Sequence, residues 1–178
     1  MSDIDLEALI TDIVDYPKPG VVFKDITTLL RDPEGFCKTI DRIVERYKDA
    51  GITKVVGAEA RGFMIAAPVA YALRAGFVPA RKPGKLPRNT FEQEYDLEYG
   101  SDTLQVHADD IGPDDVVLLV DDLIATGGTV AAQVKMLKNI GCTIAGLAFV
   151  MELDFLNPRE LVAQETDVEI FSLIHVAE

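Results

Sequence analysis

The chain has 178 residues, 48% of them hydrophobic, and a formal net charge of −13 at pH 7. This length and composition predict a single globular domain over residues 1–178 with a sizeable hydrophobic core. The sequence lacks an apolar run of about 18 residues, which argues against a membrane-spanning helix. An acidic chain is also poorly suited to nucleic acids, because their phosphate backbones require a basic surface.

Three further features concern the compartment and metal binding. Residues 1–5 are acidic and lack the basic-then-apolar order of a secretory signal peptide, so we expect a cytoplasmic protein. Cys37 and Cys142 are expected to be small buried hydrophobes in a reducing compartment. His107 and His175 lack partners at a familiar metal-ligand spacing, so the sequence predicts no metal cluster.

Hydrophobic periodicity and breaker residues predict the elements of the first half. In chain order these are an amphipathic helix over 3–15, a proline-containing break over 16–20, an apolar segment over 21–23, a helix from Asp32 to Gly51, a strand over 54–58, a helix from 62 towards Gly76 that contains Pro68, and a strand over 77–80. Asp32 followed by Pro33 is typical of a helix start, because aspartate caps free N–H groups and proline fits the first helical position.

The second half is predicted to continue this alternation. Its elements are a hairpin of 91–97 and 103–106, a buried strand over 116–120, a helix ended by Gly141, a buried strand over 143–151, a short helix opened by a capping box at Asn157 and Glu160, and a last strand over 169–174. The alternation implies an α/β fold with a mostly parallel sheet flanked by helices. The loops after Ala58, Ala80 and Val120 would then open at one edge, where such sheets bind ligands.

The most informative segment runs from Val116 to Thr129, where a buried strand is followed by an acidic pair, a glycine loop and a helix start. Backbone N–H groups in such a loop, together with the helix dipole, form an anion site. The loop residues are Ala125, Thr126, Gly127, Gly128 and Thr129. Because Asp121 and Asp122 would repel a bare phosphate, the ligand is expected to carry hydroxyls, a metal, or both.

Better-known phosphate loops do not match this segment. No lysine follows the glycines as in a Walker A loop, and the Gly-x-Gly-x-x-Gly fingerprint of dinucleotide sites is absent. The simplest alternative is a capped turn between a strand and a helix, with two solvated aspartates.

A basic segment interrupts the acidic sequence. Residues 80–91 contain no acid but four cations, namely Arg81, Lys82, Lys85 and Arg88. With Arg61, which follows the strand over 54–58, they predict a small anionic ligand at the same sheet edge. Preorganised cations there would stabilise negative charge that develops on a leaving group. The alternatives are an ordinary basic surface loop and, for Arg61, an ion pair with Glu59 or another acid.

Five segments, in order, resemble the type I phosphoribosyltransferases and in particular their adenine-specific members. They are Pro19–Thr27, Glu59–Phe63, Arg81–Pro87, Leu97–Gly100 and the phosphoribosyl pyrophosphate signature Val120–Thr129. The resemblance covers roughly residues 16–155. It implies the type I phosphoribosyltransferase fold, with a small N-terminal hood from residues 1–30, and transfer of the phosphoribosyl group to adenine. The products would be AMP and pyrophosphate, in purine salvage.

The resemblance also implies individual roles. The loop 125–129 would hold the 5′-phosphate, and Asp121 and Asp122 the ribose hydroxyls. The implied pyrophosphate ligands are Arg61, Arg81, Lys82 and Lys85. Arg81 would be able to reach the neighbouring site of a homodimer. Mg²⁺ would be held mainly through substrate oxygens and water, with no direct protein ligand.

For the base, the implied site consists of Val22, Phe23, Lys24 and Leu123. Phe23 and Leu123 would stack on the two faces of adenine. Glu98 would act as acid or base at the purine N7, with Tyr99 beside it on a flap. As alternatives, Phe23 is plain core, Glu98 a solvated hairpin residue and Lys24 a surface lysine.

Two other functions stay open at this point. One is a phosphoribosyltransferase for a 6-oxo purine, which would need hydrogen-bond donors where adenine needs an acceptor. The other is a sensor that binds phosphoribosyl pyrophosphate without chemistry. Sensors of that kind tend to have a DNA-binding domain and a basic face, which the length and charge of this chain do not favour.

Overall fold

The computed structural model describes residues 4–96 and 101–177. Five strands in these residues form the central sheet: β3 (Lys54–Ala58), β4 (Gly76–Ala80), β7 (Val116–Ile124), β8 (Thr143–Leu153) and β9 (Ile170–Val176). They are all parallel and lie in the order β4, β3, β7, β8, β9. Two antiparallel hairpins complete the strands: β1 (Thr11–Val14) with β2 (Val22–Asp25), and β5 (Thr90–Asp96) with β6 (Ser101–His107).

Helices cover both faces of the sheet. They are α1 (Thr27–Leu30), α2 (Pro33–Tyr47), α3 (Gly62–Leu73), α4 (Gly128–Ile140) and α5 (Pro158–Val162). Because side chains alternate along a strand, β7 contributes Leu118 to the core under α2 and α3, and Leu119 to the core under α4. The predicted α/β fold is confirmed. Of the helices in 4–96 and 101–177, none is long and apolar enough to cross a membrane.

The helix start at Asp32 is as predicted. The Asp32 carboxylate accepts a hydrogen bond from the Gly35 N–H at 2.8 Å, and Pro33 takes the first helical position. The helix ends at Tyr47, before the predicted stop at Gly51. Local capping signals therefore located its start better than its end.

The predicted helix over 3–15 is wrong. Glu7–Leu9 is a 3-10 turn, and Thr11–Val14 is a strand that pairs with β2, with Ile13 opposite Phe23. Leu6 is buried, as a helical stripe would require, but Val14 at the other end of the stripe is exposed. A short isolated helix is marginal, and β-branched residues gain more by pairing with a neighbouring strand.

Three smaller predictions also need correction. Asn157 has a left-handed conformation (φ 49°) and its side chain caps none of the described N–H groups, so α5 forms without a capping box. Cys37 is exposed and Cys142 only half-buried. The strand β7 extends through Asp121 and Asp122 to Ile124, so the acidic pair lies within its carboxyl end and not after it.

Candidate active site

A cavity of about 280 Å³ lies at the carboxyl ends of β3 and β7. Its walls come from the β3–α3 loop, the basic segment, the β5–β6 hairpin and the loop between β7 and α4. They consist of Ala58, Glu59, Ala60, Arg61, Lys82, Tyr95, Asp102, Leu104 and residues 121–130. The three loops expected to open at one edge therefore do so.

The β7–α4 loop is built for close backbone approach. Gly127 has φ 87°, and a Cβ at this position would lie 2.8 Å from the Pro158 carbonyl oxygen of α5. A side chain is thus excluded both by conformation and by contact. Since α4 begins at Gly128, its first N–H groups have no partners within the helix and remain available to an anion.

The acidic pair is divided between two environments. Asp122 is buried and forms an ion pair with Arg61, with Oδ2 2.8 Å from Nε. The Oδ1 atom of Asp121 accepts a hydrogen bond from the Asp122 N–H at 2.8 Å. Desolvation, and then the nearby Asp122 carboxylate, raise the pKa of Asp121 well above its usual value. A carboxyl that retains its proton can donate to a hydroxyl, whereas a carboxylate can only accept.

Gly62 lets the start of α3 approach Asp121. A Cβ on Gly62 would lie 2.6 Å from Asp121 Oδ1. This close packing joins the β3–α3 loop, which carries Arg61, to the end of β7. It therefore fixes where the cation lies relative to the acidic pair.

Each cation assigned to pyrophosphate has a carboxylate partner. Besides the pair of Arg61 with Asp122, Lys82 Nζ lies 2.8 Å from Asp102 Oδ2. Glu59 holds two cations, since its carboxylate lies 2.7 Å from Arg81 Nε and 3.2 Å from Lys85 Nζ. Arg81 and Lys85 thus stand behind Glu59 and outside the cavity wall, whereas Arg61 and Lys82 are part of it.

Glu59 is ionised although its side chain is buried. Burial acts to raise its pKa, but hydrogen bonds from Arg81 and Lys85 and from the backbone of Lys82 lower the pKa of Glu59 below its usual value. Arg88, the fourth cation of the basic segment, is bound elsewhere, to Asp109 and Asp110.

The hood residues on β2 reach the site through Arg61. The Arg61 guanidinium lies 5.5 Å from the centre of the Phe23 ring, and Tyr16 packs edge-on against the same ring at 5.3 Å. The ammonium of Lys24 lies 2.8 Å from Asp12 on β1, so its charge is neutralised within the hood. Leu123 is half-buried and lines the cavity.

The proposed flap residues Glu98 and Tyr99 lie outside the described residues. The hairpin that flanks them contributes Tyr95 and Asp102 to the cavity, and sequence reasoning assigned neither of these. The sequence did contain a signal for Asp102. It alternates with Leu104 and Val106 along β6, so the three side chains lie on one face of the strand, and Leu104 and Val106 are buried. Glu59 was considered only as a partner of Arg61, but it binds two other cations.

A second polar cluster lies at the ends of β8 and β9. His175 Nδ1 lies 3.0 Å from Asp154 Oδ1, with Glu152 nearby, although the sequence spacing gave no hint of this. Both oxygens of the buried Glu152 carboxylate already accept hydrogen bonds from Arg159, and Ser172 adds a third. The cluster is therefore an ion-pair network in which the arginine neutralises the acid.

Comparisons with known proteins agree with this geometry. Residues 26–177 match the model of the phosphoribosyl transferase domain family. The adenine phosphoribosyltransferase of Acidobacterium capsulatum is 53% identical over 173 residues, which cover 97% of this chain and 94% of that protein.

Solved structures give the same answer. The adenine phosphoribosyltransferase of Thermoanaerobacter pseudethanolicus is 41% identical, with a TM-score of 0.89 over 96% of this chain and 97% of that one. The APRTase of Giardia lamblia, complexed with 9-deazaadenine, is 39% identical, with a TM-score of 0.91 over 98% and 97% of the two chains. The chain therefore belongs to the phosphoribosyltransferase family, within the group of adenine phosphoribosyltransferases.

Proposed function

We propose that this protein transfers the 5-phosphoribosyl group from phosphoribosyl pyrophosphate to adenine, giving AMP and pyrophosphate. The observation that carries the proposal is the convergence of a phosphate loop, an acidic pair and two cations on one cavity. A ligand with a phosphate, sugar hydroxyls and a second polyanionic group satisfies all three. Membership of the adenine-specific group supports adenine as the acceptor.

Each part of the cavity has a task in this reaction. The N–H groups of 125–129 bind the 5′-phosphate, and Asp121 and Asp122 bind the ribose hydroxyls. Arg61 and Lys82 face the pyrophosphate, and Arg81 and Lys85 support them from behind Glu59. As the bond to the anomeric carbon breaks, negative charge grows on the leaving group, and these fixed cations stabilise it.

The base is held between the hood and the end of β7. In this proposal the backbone at Val22 and Lys24 recognises the edge of adenine, and Phe23 and Leu123 stack on its faces. Phe23 lies against the Arg61 guanidinium, which supports a position next to the cavity. Glu98 exchanges the proton at N7, and Tyr99 lies beside it.

The donors at this site favour a magnesium ion that is held mainly through the substrate. Mg²⁺ takes oxygen ligands and usually keeps several waters while it binds one or two carboxylates and substrate phosphates. Asp121 and Asp122 offer carboxylate oxygens, but Asp122 is paired with Arg61 and Asp121 accepts a backbone hydrogen bond. We therefore propose that substrate oxygens and water hold the ion, which screens the charge of the leaving pyrophosphate when bound.

A cytoplasmic homodimer completes the proposal. Tyr71 on α3 is 76% exposed, and Met64 on the same helix and Phe77 on β4 are also exposed. Because α3 and β4 are neighbouring elements, these exposed side chains support a surface for a second chain on this side of the sheet. In this structure Arg81 bonds to Glu59 of its own chain, next to the cavity, so it is available to a neighbouring site only if that bond is exchanged.

Initial rates with four bases test the reaction. With phosphoribosyl pyrophosphate and Mg²⁺, we expect AMP formation from adenine and little product from guanine, hypoxanthine or xanthine. Activity confined to the 6-oxo purines would replace the proposal with the first alternative. Binding of phosphoribosyl pyrophosphate without any product would favour the sensor.

A further inference from the structure

Two carboxylates hold the three cations of the basic segment that are assigned to pyrophosphate, and they do so differently. The Glu59 side chain is only 8% exposed and binds two cations, Arg81 and Lys85. The Asp102 side chain is 20% exposed, lines the cavity and binds one cation, Lys82, whose side chain is 54% exposed. Glu59 is thus an internal anchor, whereas Asp102 and Lys82 meet at the surface that a ligand would contact.

Asp102 is held in place from the opposite strand of its hairpin. It lies directly across from Tyr95, whose hydroxyl is 3.4 Å from the same carboxylate oxygen, Oδ2, that binds Lys82. Tyr95 lines the cavity as well and interacts with Thr129 of the phosphate loop. The carboxylate oxygen that binds Lys82 is thus also within reach of the Tyr95 hydroxyl.

The pair is fully charged near neutral pH. The hydrogen bond from Lys82 is the main cause that lowers the pKa of Asp102, and the same bond raises the pKa of Lys82. A pyrophosphate that binds Lys82 must therefore displace or share a carboxylate partner. It must also lie within a few ångströms of a fixed negative charge, which opposes its binding.

We propose that Asp102 is a positioning residue that acts through Lys82 as a built-in competitor of pyrophosphate. It occupies the Lys82 ammonium before pyrophosphate binds and weakens the affinity for the leaving group, so that pyrophosphate departs after transfer. This inference rests on the proposed function, because it takes Lys82 to be a ligand of pyrophosphate. The inference adds Asp102 as a residue that sets the affinity for pyrophosphate and leaves the affinity for AMP unaffected.

The test uses Asp102→Asn, which removes the charge and keeps the shape. Inorganic pyrophosphate, titrated calorimetrically at fixed Mg²⁺, should bind the variant about tenfold more tightly than the wild type. AMP, which carries only the 5′-phosphate, should bind both with the same affinity. In steady-state assays pyrophosphate should inhibit AMP formation at a correspondingly lower concentration.

Glu92→Gln is the matched control. It removes the same charge from the same hairpin, but Glu92 is exposed, lies opposite Gln105 on the other face and is absent from the cavity wall. We expect its pyrophosphate affinity to equal that of the wild type. Asp102→Ala should behave like Asp102→Asn, since the missing charge and not the new side chain causes the gain.

Three results would overturn the inference. They are unchanged or weaker pyrophosphate binding by Asp102→Asn, an equal gain in Glu92→Gln, and an equal gain for AMP. The proposed function fails separately, if the wild type makes no AMP from adenine and phosphoribosyl pyrophosphate. If the wild type makes AMP but the variants give any of the three results, the proposed function stands and only the role of Asp102 is rejected.

Discussion

The phosphate loop and the basic segment are both expected to bind phosphate groups, but one uses backbone groups and the other uses side chains. The loop 125–129 uses backbone N–H groups at the start of α4, and Gly127 fits against the Pro158 carbonyl without space for a side chain. The basic segment uses long side chains, each already bound to a carboxylate. A backbone site is thus ready for its ligand, whereas a side-chain site must exchange partners.

This difference matches the two ends of the proposed substrate. The 5′-phosphate stays attached to the sugar through the reaction, so a fixed cradle suits it. The pyrophosphate must leave, so its ligands need other partners to return to. The following substitutions test whether the two regions really differ in this way.

Gly127→Ala should have the largest effect. The left-handed conformation costs a residue with a Cβ about 1–2 kcal/mol, and the contact with Pro158 adds to this. We expect the free energy of unfolding, measured with urea, to fall by about 3 kcal/mol. AMP affinity should fall by about tenfold or more, because the N–H groups lose their positions.

Gly141→Ala is its control. Gly141 has nearly the same conformation, with φ 89°, but a Cβ there meets nothing within 4 Å. It lies at the far end of α4, about 20 Å from the loop. The free energy of unfolding of this variant should fall only by the cost of the left-handed conformation. Its AMP affinity should equal that of the wild type. If Gly127→Ala and Gly141→Ala lose the same amount of stability and of AMP affinity, the contact with Pro158 does not help to position the loop.

Glu59→Gln should have the next largest effect, and with the opposite sign from Asp102→Asn. Loss of the carboxylate charge leaves Arg81 and Lys85 with only a neutral amide as their buried partner, so we expect about 1–3 kcal/mol less stability. Pyrophosphate affinity should fall by about tenfold, because the cations behind the cavity lose their anchor. Calorimetry with pyrophosphate and urea unfolding measure the two effects.

The control for this variant is Glu169→Gln. Glu169 forms an exposed ion pair with Arg46, far from the cavity wall, and such pairs contribute about 0–1 kcal/mol. The Glu169→Gln variant should bind pyrophosphate with the same affinity as the wild type. Tighter pyrophosphate binding by Glu59→Gln would mean that Glu59, like Asp102, competes with the ligand, and the distinction between anchor and competitor would disappear.

The backbone-built region was the one that sequence predicted well. Buried β7, the glycines and the start of α4 leave local signals, since conformation and burial at Gly127 and Leu118 restrict the residue types allowed. The partners of the cations were not predictable in the same way. Asp102 is 20 residues from Lys82 in sequence, and the antiparallel bridge between Arg81 and Gln105 joins its strand, β6, to the basic segment.

The N-terminal region shows the same limit. The spacing of Leu6, Ile10 and Ile13 satisfies a helical period, but the residues that decide the structure are those of β2, on the far side of a turn. A strand that depends on a distant partner carries little signal of its own. The hood was therefore expected from the resemblance, while its actual structure was missed.

Asp121→Asn, at the junction of the two regions, should cost the least of the three substitutions, because it is expected to raise the free energy of unfolding and not to lower it. Because its pKa is raised in the folded chain, Asp121 retains a proton that the unfolded chain has already lost, so the folded state becomes less stable as the pH rises from about 4 through the raised pKa. Asparagine does not titrate and can still accept the hydrogen bond from Asp122. The variant should therefore be more stable than the wild type at pH 7.

The pH dependence of that gain distinguishes the cause. Urea unfolding at a series of pH values should show the difference between Asp121→Asn and the wild type shrinking as the pH is lowered towards 4. Asp122→Asn is the control, because it breaks the ion pair with Arg61 and should lower stability at pH 7. A gain for Asp121→Asn that does not change with pH would point to packing against Gly62 and not to charge. A loss at pH 7 would mean that Asp121 belongs with the stably paired carboxylates, like Glu59.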